Sequence, residues 1–149
     1  MSETITYSDF QDSDFESLFQ MGCKLWKDTE ETELRRLLTE VMERKNQRIF
    51  LAKMNNMNVG FSMFSIRTDY VEGASQSPTG YLEGIFVESD FRNKGIAREF
   101  VRLGEAWCKA QGCIQIGSDT WLTDKDSRNF HKKVGFWEED EIVHFLKDL

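Results

Sequence analysis

Hydrophobic residues along this chain follow helical spacing in some stretches and form short continuous runs in others. Helical spacing predicts two consecutive helices, the first ending near Trp26 and the second ending near residues 45–46. Between them, Asp28 is followed three residues later by Glu31, which is the pattern of a capping box. Asp28 is therefore predicted as the N-cap of the second helix.

Short apolar runs predict the strands. A first strand is expected at residues 4–7. Residues 49–54 and 59–66 flank two asparagines, and this pattern predicts an antiparallel hairpin because asparagine tolerates positive φ. Residues 113–120 and 137–147 are predicted as the last two strands.

The centre of the chain predicts a strand, a turn and a helix in succession. The strand covers residues 81–87, a polar turn covers 88–91, and residues 92–97 open an amphipathic helix that ends at Gly112. The first N–H groups of a helix have no intrahelical partner and lie at the positive end of its dipole. Gly95 leaves room for a close backbone approach. This segment therefore predicts a site for a pyrophosphate.

The predicted elements follow the order β-α-α-β-β-β-α-β-α-β, with a short helix at residues 126–134. The order contains no repeat or linker, which indicates one α/β domain over residues 1–149. The central strand–helix–strand unit predicts two parallel strands, whereas the hairpin is antiparallel. The sheet is therefore expected to be mixed, with about four helices flanking it.

Composition narrows the class of function. Hydrophobic residues make up 40% of the chain and charged residues 30%, as in globular proteins. The net charge of −7 argues against nucleic acid and suits a polycationic substrate, although it also serves solubility alone. There is no apolar run long enough for a membrane span and no signal-peptide pattern, so a cytoplasmic protein is expected. Three cysteines and two histidines predict no metal site.

A second constellation lies near the C-terminus. Asp124 is followed at +3 by Ser127, at +7 by His131 and at +11 and +12 by Gly135 and Phe136. Histidine titrates near neutral pH and is suited to general acid–base work. The alternative is that His131 is a helix-surface residue.

These two constellations resemble the motifs of the GNAT N-acetyltransferase superfamily. The spacing Arg-x-x-Gly-x-Ala at residues 92–97 resembles its acyl-CoA motif, and the segment from Asp124 resembles its distal motif Asn-x-x-Ala/Ser-x-x-x-Tyr-x-x-x-Gly-Phe. The resemblance implies the GNAT fold, a mostly antiparallel sheet with one parallel pair, and acetyl-CoA as co-substrate. It places His131 where the family has a tyrosine acting as general acid, and Asp124 where it has asparagine.

A narrower resemblance covers residues 26–147. Ile-Arg-x-Asp-Tyr-Val-x-Gly at 66–73, Leu-Glu-Gly-Ile-Phe-Val at 82–87 and Ser-Asp-Thr at 118–120 resemble bacterial aminoglycoside 6′-N-acetyltransferases. This resemblance implies an antibiotic-resistance acyltransferase that forms a homodimer. The implied substrate contacts are Trp26, Tyr70, Glu83, Asp119 and Asp140. The implied acetyl-CoA contacts are Ile85, Phe86, Val87, Arg92, Asn93, Lys94, Gly95, Ile96, Ala97, Arg98 and Asp124.

The carboxylates support that reading on physical grounds. Glu83 lies within an apolar strand, where an unpaired charge is costly, and Asp119 lies at the end of the neighbouring parallel strand, where ligand crevices form. Two carboxylates at one cleft favour a cationic ligand. The alternatives are a salt bridge between Glu83 and Arg67, a capping role for Asp119, and core positions for Trp26 and Tyr70.

The expected reaction is direct acetyl transfer in a ternary complex. A backbone N–H near Phe86 or Val87 would stabilise the oxyanion, Glu83 or Asp119 would accept the amine proton, and the three cysteines are expected only to pack. Two alternatives stay open: a GNAT acetyltransferase for a polyamine, peptide or protein amine, and a non-catalytic CoA-binding module.

Overall fold

The computed structural model describes residues 4–149, and the N-terminal residues 1–3, part of the segment without a signal-peptide pattern, lie outside it. The strands are β1 (Thr6–Asp9), β2 (Gln47–Met54), β3 (Met57–Arg67), β4 (Thr79–Val87) and β5 (Ile116–Ser118). The helices are α1 (Phe15–Leu25), α2 (Glu31–Met42), α3 (Ile96–Ala110) and α4 (Lys125–Lys133). Single 3₁₀ turns cover Asp12–Asp14 and Ser89–Phe91.

The sheet runs in the order β1-β2-β3-β4-β5. All neighbouring strands are antiparallel except β4 and β5, which are parallel. Asn55 and Asn56 close the β2–β3 hairpin with φ of 52° and 64°, as their position between two strands predicts. The mixed, mostly antiparallel sheet with one parallel pair is confirmed.

Two cores lie on opposite faces of the sheet, because successive residues of a strand point to opposite sides. On one face, Ile49 and Leu51 of β2 pack with the apolar stripes of α1 and α2. On the other face, Phe50 and Ala52 pack with α3 through residues such as Phe100. The sheet is thus covered by helices on both faces.

The start of α2 differs from the prediction. Its N-cap is Glu30, in extended conformation, and Asp28 lies two residues earlier. The N–H of Thr29 donates to the carbonyl of Trp26 at 3.1 Å. This turn occupies the segment around Asp28 and displaces it from the capping position, so the predicted capping box was wrong.

The end of α2 also comes earlier than expected, at Met42 rather than near residues 45–46. The N–H of Arg44 donates to the carbonyl of Val41 at 3.1 Å, which closes the helix with an i→i−3 bond. Residues 43–46 carry no apolar side chain to bury, so nothing in the core supports another turn.

The predicted C-terminal strand at residues 137–147 was wrong, and β5 is shorter than the predicted 113–120. Residues 136–149 contain neither helix nor strand. Their apolar side chains, which should have formed one buried face, are instead exposed: Trp137, Ile142, Val143, Phe145 and Leu146. Beyond Ser118 the chain leaves β4, because the parallel pairing has only three rungs. The C-terminal segment therefore has no strand partner among the described residues.

Candidate active site

The parallel strands β4 and β5 separate part-way along β4. Their pairing begins at Gly80 and Ile116 and ends at Leu82 and Ser118. From Glu83 to Val87, β4 pairs only with β3 among the described residues. One edge of its backbone is therefore open, and such an edge can accept an extended ligand as an additional strand.

The ladder between β3 and β4 decides which amides face the open edge. Val87 is opposite Gly60, and the N–H of the next residue, Glu88, donates to the carbonyl of Val59 at 2.8 Å. Val87 is therefore in a non-hydrogen-bonded position of the antiparallel ladder, and its own N–H and C=O point outwards. Phe86 is the inward-bonded neighbour. Of the two amides considered from the sequence, Val87 is the available one.

A turn with two left-handed residues leads from β4 into α3. Asn93 has φ of 61° and Gly95, the N-cap of α3, has φ of 81°. The first i→i−4 bond of the helix runs from the N–H of Glu99 to the carbonyl of Gly95 at 3.0 Å. The amides before Glu99 precede that bond and lack an intrahelical acceptor. A side chain at Gly95 would meet open space, so its glycine is required by the backbone conformation.

Arg92 fastens this turn to the end of β4. Its Nε–H donates to the outward-pointing carbonyl of Val87 at 2.8 Å, and its guanidinium lies 5.8 Å from the centre of the Phe86 ring. Ile96 is buried in the core and anchors the first turn of α3. The residues around it, Arg92, Asn93, Lys94, Gly95 and Arg98, are exposed. The result is a rigid, electropositive helix start beside the open strand edge.

Glu83 does not stand alone in the cleft. Its carboxylate pairs with the guanidinium of Arg67, which reaches it through Nη2 at 2.9 Å and through Nε at 3.2 Å. Met63 of β3 pairs with Gly84, and the next residue, Phe64, pairs with Leu82. Glu83 is therefore the extra residue of a β-bulge. The salt bridge considered as an alternative for Glu83 is therefore present, and it leaves this carboxylate with a counter-ion.

Arg67 also links Glu83 to the second carboxylate. Its guanidinium lies 3.4 Å from the centre of the Tyr81 ring, a cation–π contact, and the Tyr81 hydroxyl donates to Oδ2 of Asp119. Burial, together with the hydrogen bond to Asp119 and its charge, raises the pKa of Tyr81. The four side chains form one continuous network that carries a net negative charge.

His131 is partly buried and held from both sides. Its Nδ1 lies 2.7 Å from the backbone carbonyl of Ser127, and its Nε2 lies 2.7 Å from the hydroxyl of Ser118. A carbonyl can only accept, so Nδ1 carries a hydrogen. The rings of Phe130 and Phe136 flank the imidazole at 5.8 and 5.2 Å between centroids. His131 is thus an oriented residue and not a free helix-surface side chain.

The remaining predicted residues are placed less centrally. Trp26 is partly buried and packs on Phe61 and Gly84, where an added Cβ would lie 2.7 Å from its ring. The Tyr70 side chain is 79% exposed. Asp124 is the N-cap of α4, accepting from the N–H of Ser127 at 3.0 Å. Asp140 is exposed in the C-terminal segment. No hydrogen bond or ion pair among the described residues joins Tyr70 or Asp140 to Glu83 or Asp119.

The three cysteines lack the character of nucleophiles. Burial raises the pKa of Cys108 to about 12, and burial also raises the pKa of Cys113 and of Cys23. All three are free thiols. A protonated thiol is a poor nucleophile. Residues 4–149 also contain no cluster of histidine, cysteine and carboxylate side chains suited to a metal ion.

Two functional candidates were missed in the sequence. The sequence presents Ser118 only within the Ser-Asp-Thr motif and Tyr81 only as part of a strand, and neither is predicted as a site residue. Ser118 is the last residue of β5 and sits beside Leu82, where the strands separate. A polar residue at the carboxyl end of a parallel strand is the signal that could have singled it out. For Tyr81 the sequence holds no signal, because its partners Arg67 and Asp119 meet it only through the strand register.

The family model described as Acetyltransferase (GNAT) family matches residues 9–136. The chain belongs to this family. Among GNAT proteins it is 34% identical over 125 residues to an aminoglycoside N(6′)-acetyltransferase type 1 of Acinetobacter genomosp. 13, covering 84% of this chain and 86% of the relative. The acetyl-CoA co-substrate and the acyltransferase class implied by the motifs agree with this membership.

Solved GNAT structures match the whole architecture. An aminoglycoside N-acetyltransferase AAC(6′)-Iy in complex with CoA superposes with a TM-score of 0.93 at 26% identity, covering 100% of this chain and 98% of that one. The same enzyme in complex with the bisubstrate analogue CoA-S-monomethyl-acetylneamine gives a TM-score of 0.91 at 27% identity, covering 98% and 99%. The GNAT fold predicted from the two motifs is confirmed.

Proposed function

We propose that this protein transfers the acetyl group of acetyl-CoA to the 6′-amine of aminoglycosides. The observation that carries the proposal is the open edge of β4, which joins the electropositive start of α3 to the network containing Glu83 and Asp119. One cleft therefore offers an anion site and an acidic site, as a phosphorylated acetyl donor and a cationic amine require. The naming of relatives as aminoglycoside N(6′)-acetyltransferases supports the choice of amine.

In this proposal the acetyl-CoA phosphates bind the amides and basic side chains at the start of α3, and the pantetheine arm pairs with β4 as an added strand. The exposed turn and the outward backbone of Val87 support this placement. Asp124 already caps α4, so any cofactor contact uses its second oxygen. The proposed contacts are Ile85, Phe86, Val87, Arg92, Asn93, Lys94, Gly95, Ile96, Ala97, Arg98 and Asp124.

The acceptor binds on the side of Glu83, Arg67 and Asp119. Asp119 is exposed and its hydrogen-bond partner among residues 4–149 is the neutral Tyr81, so it is the principal anion for an incoming ammonium group. Glu83 contributes less because Arg67 neutralises it. Trp26, Tyr70 and Asp140 are the remaining proposed contacts. Tyr70 and Asp140 are exposed, so they would contact only a substrate large enough to extend to them from Asp119.

The amine, once deprotonated through Asp119 or Glu83 and water, attacks the thioester carbonyl. The outward N–H of Val87 is placed to donate to the tetrahedral oxyanion, a contact that strengthens as charge develops. No acyl-enzyme is required, since the thiols remain protonated and the two substrates can meet directly. His131 supplies the proton for the departing thiolate.

We also propose that the protein acts as a single domain over residues 1–149 and as a homodimer in the cytoplasm. The exposed apolar side chains of the C-terminal segment support a dimer, because contiguous exposed apolar surface marks an interface. Three free cysteines suit a reducing compartment. No helix formed by the described residues has the length and apolar character needed to cross a membrane.

A second candidate substrate is a less highly charged amine, such as a peptide or protein amine. The Arg67–Glu83 pair favours it, because the pair removes one of the two negative charges on which recognition of a polycation depends. Both candidates use the same acetyl donor and the same strand edge.

The test is thiol release from acetyl-CoA across a matched panel of amines. The panel pairs an aminoglycoside bearing a 6′-amine with its 6′-hydroxyl counterpart, and adds a polyamine and a peptide. Turnover with the 6′-amine but not the 6′-hydroxyl is the expected result. Turnover with the peptide and with neither aminoglycoside would reject aminoglycosides as the substrate, but it would still support acetyltransferase activity.

A further inference from the structure

The two ring nitrogens of His131 are both occupied, and the occupant of Nε2 lies between the ring and the cleft. Ser127 holds Nδ1 through its backbone carbonyl at 2.7 Å, whereas the Ser118 hydroxyl lies 2.7 Å from Nε2. With Nδ1 protonated, Nε2 is the only nitrogen that can exchange a proton. Any proton that His131 gives to a reacting atom must therefore displace the Ser118 hydroxyl or pass through it.

Ser118 occupies the point where the two strands separate. It is the last residue of β5 and pairs with Leu82, immediately before the open edge of β4 begins. Its side chain is partly exposed, and its Oγ is 3.4 Å from the carbonyl of Leu82, so that contact is weak. Among the described residues the hydroxyl therefore has one strong partner, His131, at the end of β5 where the cleft begins.

The acidic network lies on the other side of this fork. Paired residues of neighbouring strands share a face, so Ser118 shares the face of Leu82, which packs in the core beneath α3. Tyr81 directly precedes Leu82, and Asp119 directly follows Ser118. Both therefore belong to the opposite face, where the hydroxyl of Tyr81 donates to Asp119. An acceptor amine held by Asp119 and a thiol near Ser118 would thus lie on opposite sides of the thioester.

We propose that Ser118 is a catalytic residue that donates the proton to the departing thiolate and is recharged by His131. The inference rests on the proposed acetyl transfer and deepens it, since it names the group that touches the sulfur. His131 is then a positioning and relay residue that acts through Ser118.

The relay balances in protons and electrons. When the tetrahedral intermediate collapses, the C–S bond breaks and its electron pair stays on sulfur. Sulfur takes the hydrogen of the Ser118 hydroxyl, and Oγ takes the hydrogen of imidazolium Nε2. The ring returns to its neutral form with Nδ1 protonated, and solvent protonates it again. Both partners of His131 can accept hydrogen bonds, so the imidazolium form is satisfied in the same geometry.

The test is the single-turnover rate of acetyl transfer at saturating acetyl-CoA, with whichever amine of the panel the wild type acetylates. Ser118→Ala should lower this rate by about 10- to 100-fold, the low end of general acid catalysis. The dissociation constant of acetyl-CoA, measured by calorimetry, should stay within about twofold, because the phosphates bind elsewhere. His131→Gln should lose a similar factor, and the double variant should lose no more than the larger single loss.

Two further measurements separate chemistry from structure. Ser118→Thr and Ser118→Val have the same shape, but only threonine keeps the hydroxyl, so threonine should retain most of the rate and valine should not. The solvent isotope effect should show more than one proton in flight in the wild type and a single proton in Ser118→Ala. Ser8→Ala, an exposed serine on β1 at the opposite edge of the sheet, is the control.

Rates within about twofold of wild type in folded Ser118→Ala, or equal rates in the threonine and valine variants, would overturn the assignment. The assignment would also be overturned if the rate loss in the double variant equalled the product of the losses in Ser118→Ala and His131→Gln. These failures leave acetyl transfer intact. A wild type that binds acetyl-CoA but acetylates no amine of the panel would overturn the proposed function and this assignment together.

Discussion

An arginine among the carboxylates of the cleft makes Glu83 and Asp119 unequal as binding groups for a cation. Arg67 contacts Glu83 through two nitrogens and stacks on Tyr81, which in turn donates to Asp119. A charge that already has a fork-shaped partner gains less from a substrate ammonium than one without. The two carboxylates are therefore unequal, although the sequence presents them as a pair.

That inequality gives the first prediction. Asp119→Asn should raise the aminoglycoside KM by about tenfold or more, since it removes a charge-assisted contact of about 1.5–3 kcal/mol. Glu83→Gln should raise KM by a smaller factor, because the Glu83 carboxylate is already paired with Arg67 and contributes less to binding a cation. Steady-state kinetics of both variants, with the KM for acetyl-CoA as internal control, measures this. A larger effect at Glu83 than at Asp119 would contradict it.

Tyr81 gives a prediction about pH. Burial and the neighbouring Asp119 raise the pKa of Tyr81 above its ordinary value of about 10. Above that pH the unfolded chain loses the phenol proton while the folded chain keeps it, so the unfolded state binds fewer protons and stability falls as pH rises. Urea unfolding from pH 8 to 11 should show a steeper loss in the wild type than in Tyr81→Phe. Parallel curves would refute the raised pKa.

At the scale of elements, a glycine in α3 allows the helix to approach the sheet closely. Gly104 is buried in the middle of α3, and a Cβ there would overlap the ring of Phe64, itself fully buried in β3. Alanine is the better helix former by about 1 kcal/mol, so propensity alone would favour it at this position. Packing wins because neither the ring nor the helix can move without disturbing the core. The contact fixes the depth at which α3 sits, and with it the position of Gly95.

Gly104→Ala should therefore destabilise the protein by about 1–3 kcal/mol, the usual cost of overpacking. Denaturant unfolding checks the value. In a Phe64→Leu background the same substitution should cost less, because the ring that it meets is gone, and the difference between the two costs measures the coupling. If Gly104→Ala lowers the free energy of unfolding equally in both backgrounds, the loss arises within the helix and not from the contact with Phe64.

Elements were predictable from sequence where their cause is local. The apolar spacing of α1, the asparagines of the hairpin and the glycine before α3 each act within a few residues, and each was found. The Arg67–Tyr81–Asp119 network depends on strand register across three strands, which single-sequence patterns do not encode. The motif singles out His131 as a candidate, whereas its contact with Ser118 is visible only in the fold.

At the scale of the whole molecule, the C-terminal segment is the least self-sufficient part. Arg128 and Lys132 pair with Glu138 and lower its pKa to about 2, so the segment leaves α4 in a fixed direction. Beyond that point its apolar side chains meet solvent. Residues 137–147 carry a strand-like pattern without a strand partner among the described residues, which explains why the prediction failed. A pattern reports that a surface must be buried, but not by which chain.

The corresponding prediction concerns association. The wild type should be a dimer by light scattering, and Val143→Asp with Phe145→Asp should shift it to a monomer, because both exposed side chains would lose their apolar partner. The monomer should keep its circular dichroism spectrum. Met57→Asp, at an exposed apolar position on the β2–β3 hairpin, is the matched control. A monomeric wild type, or a dimer that survives both aspartates, would exclude the segment as the interface.

The separation of β4 from β5 has a consequence for how this protein can change over generations. Tyr81 and Asp119, beside which the acceptor is proposed to bind, lie on one face of the fork, and the helix start and the serine–histidine pair lie on the other. Substitutions that refit the first face to a new amine leave the acetyl donor and its leaving group untouched. If the acceptor binds as proposed, substitutions at Arg67 or Asp119 can therefore change which amine is accepted while acetyl transfer itself is retained.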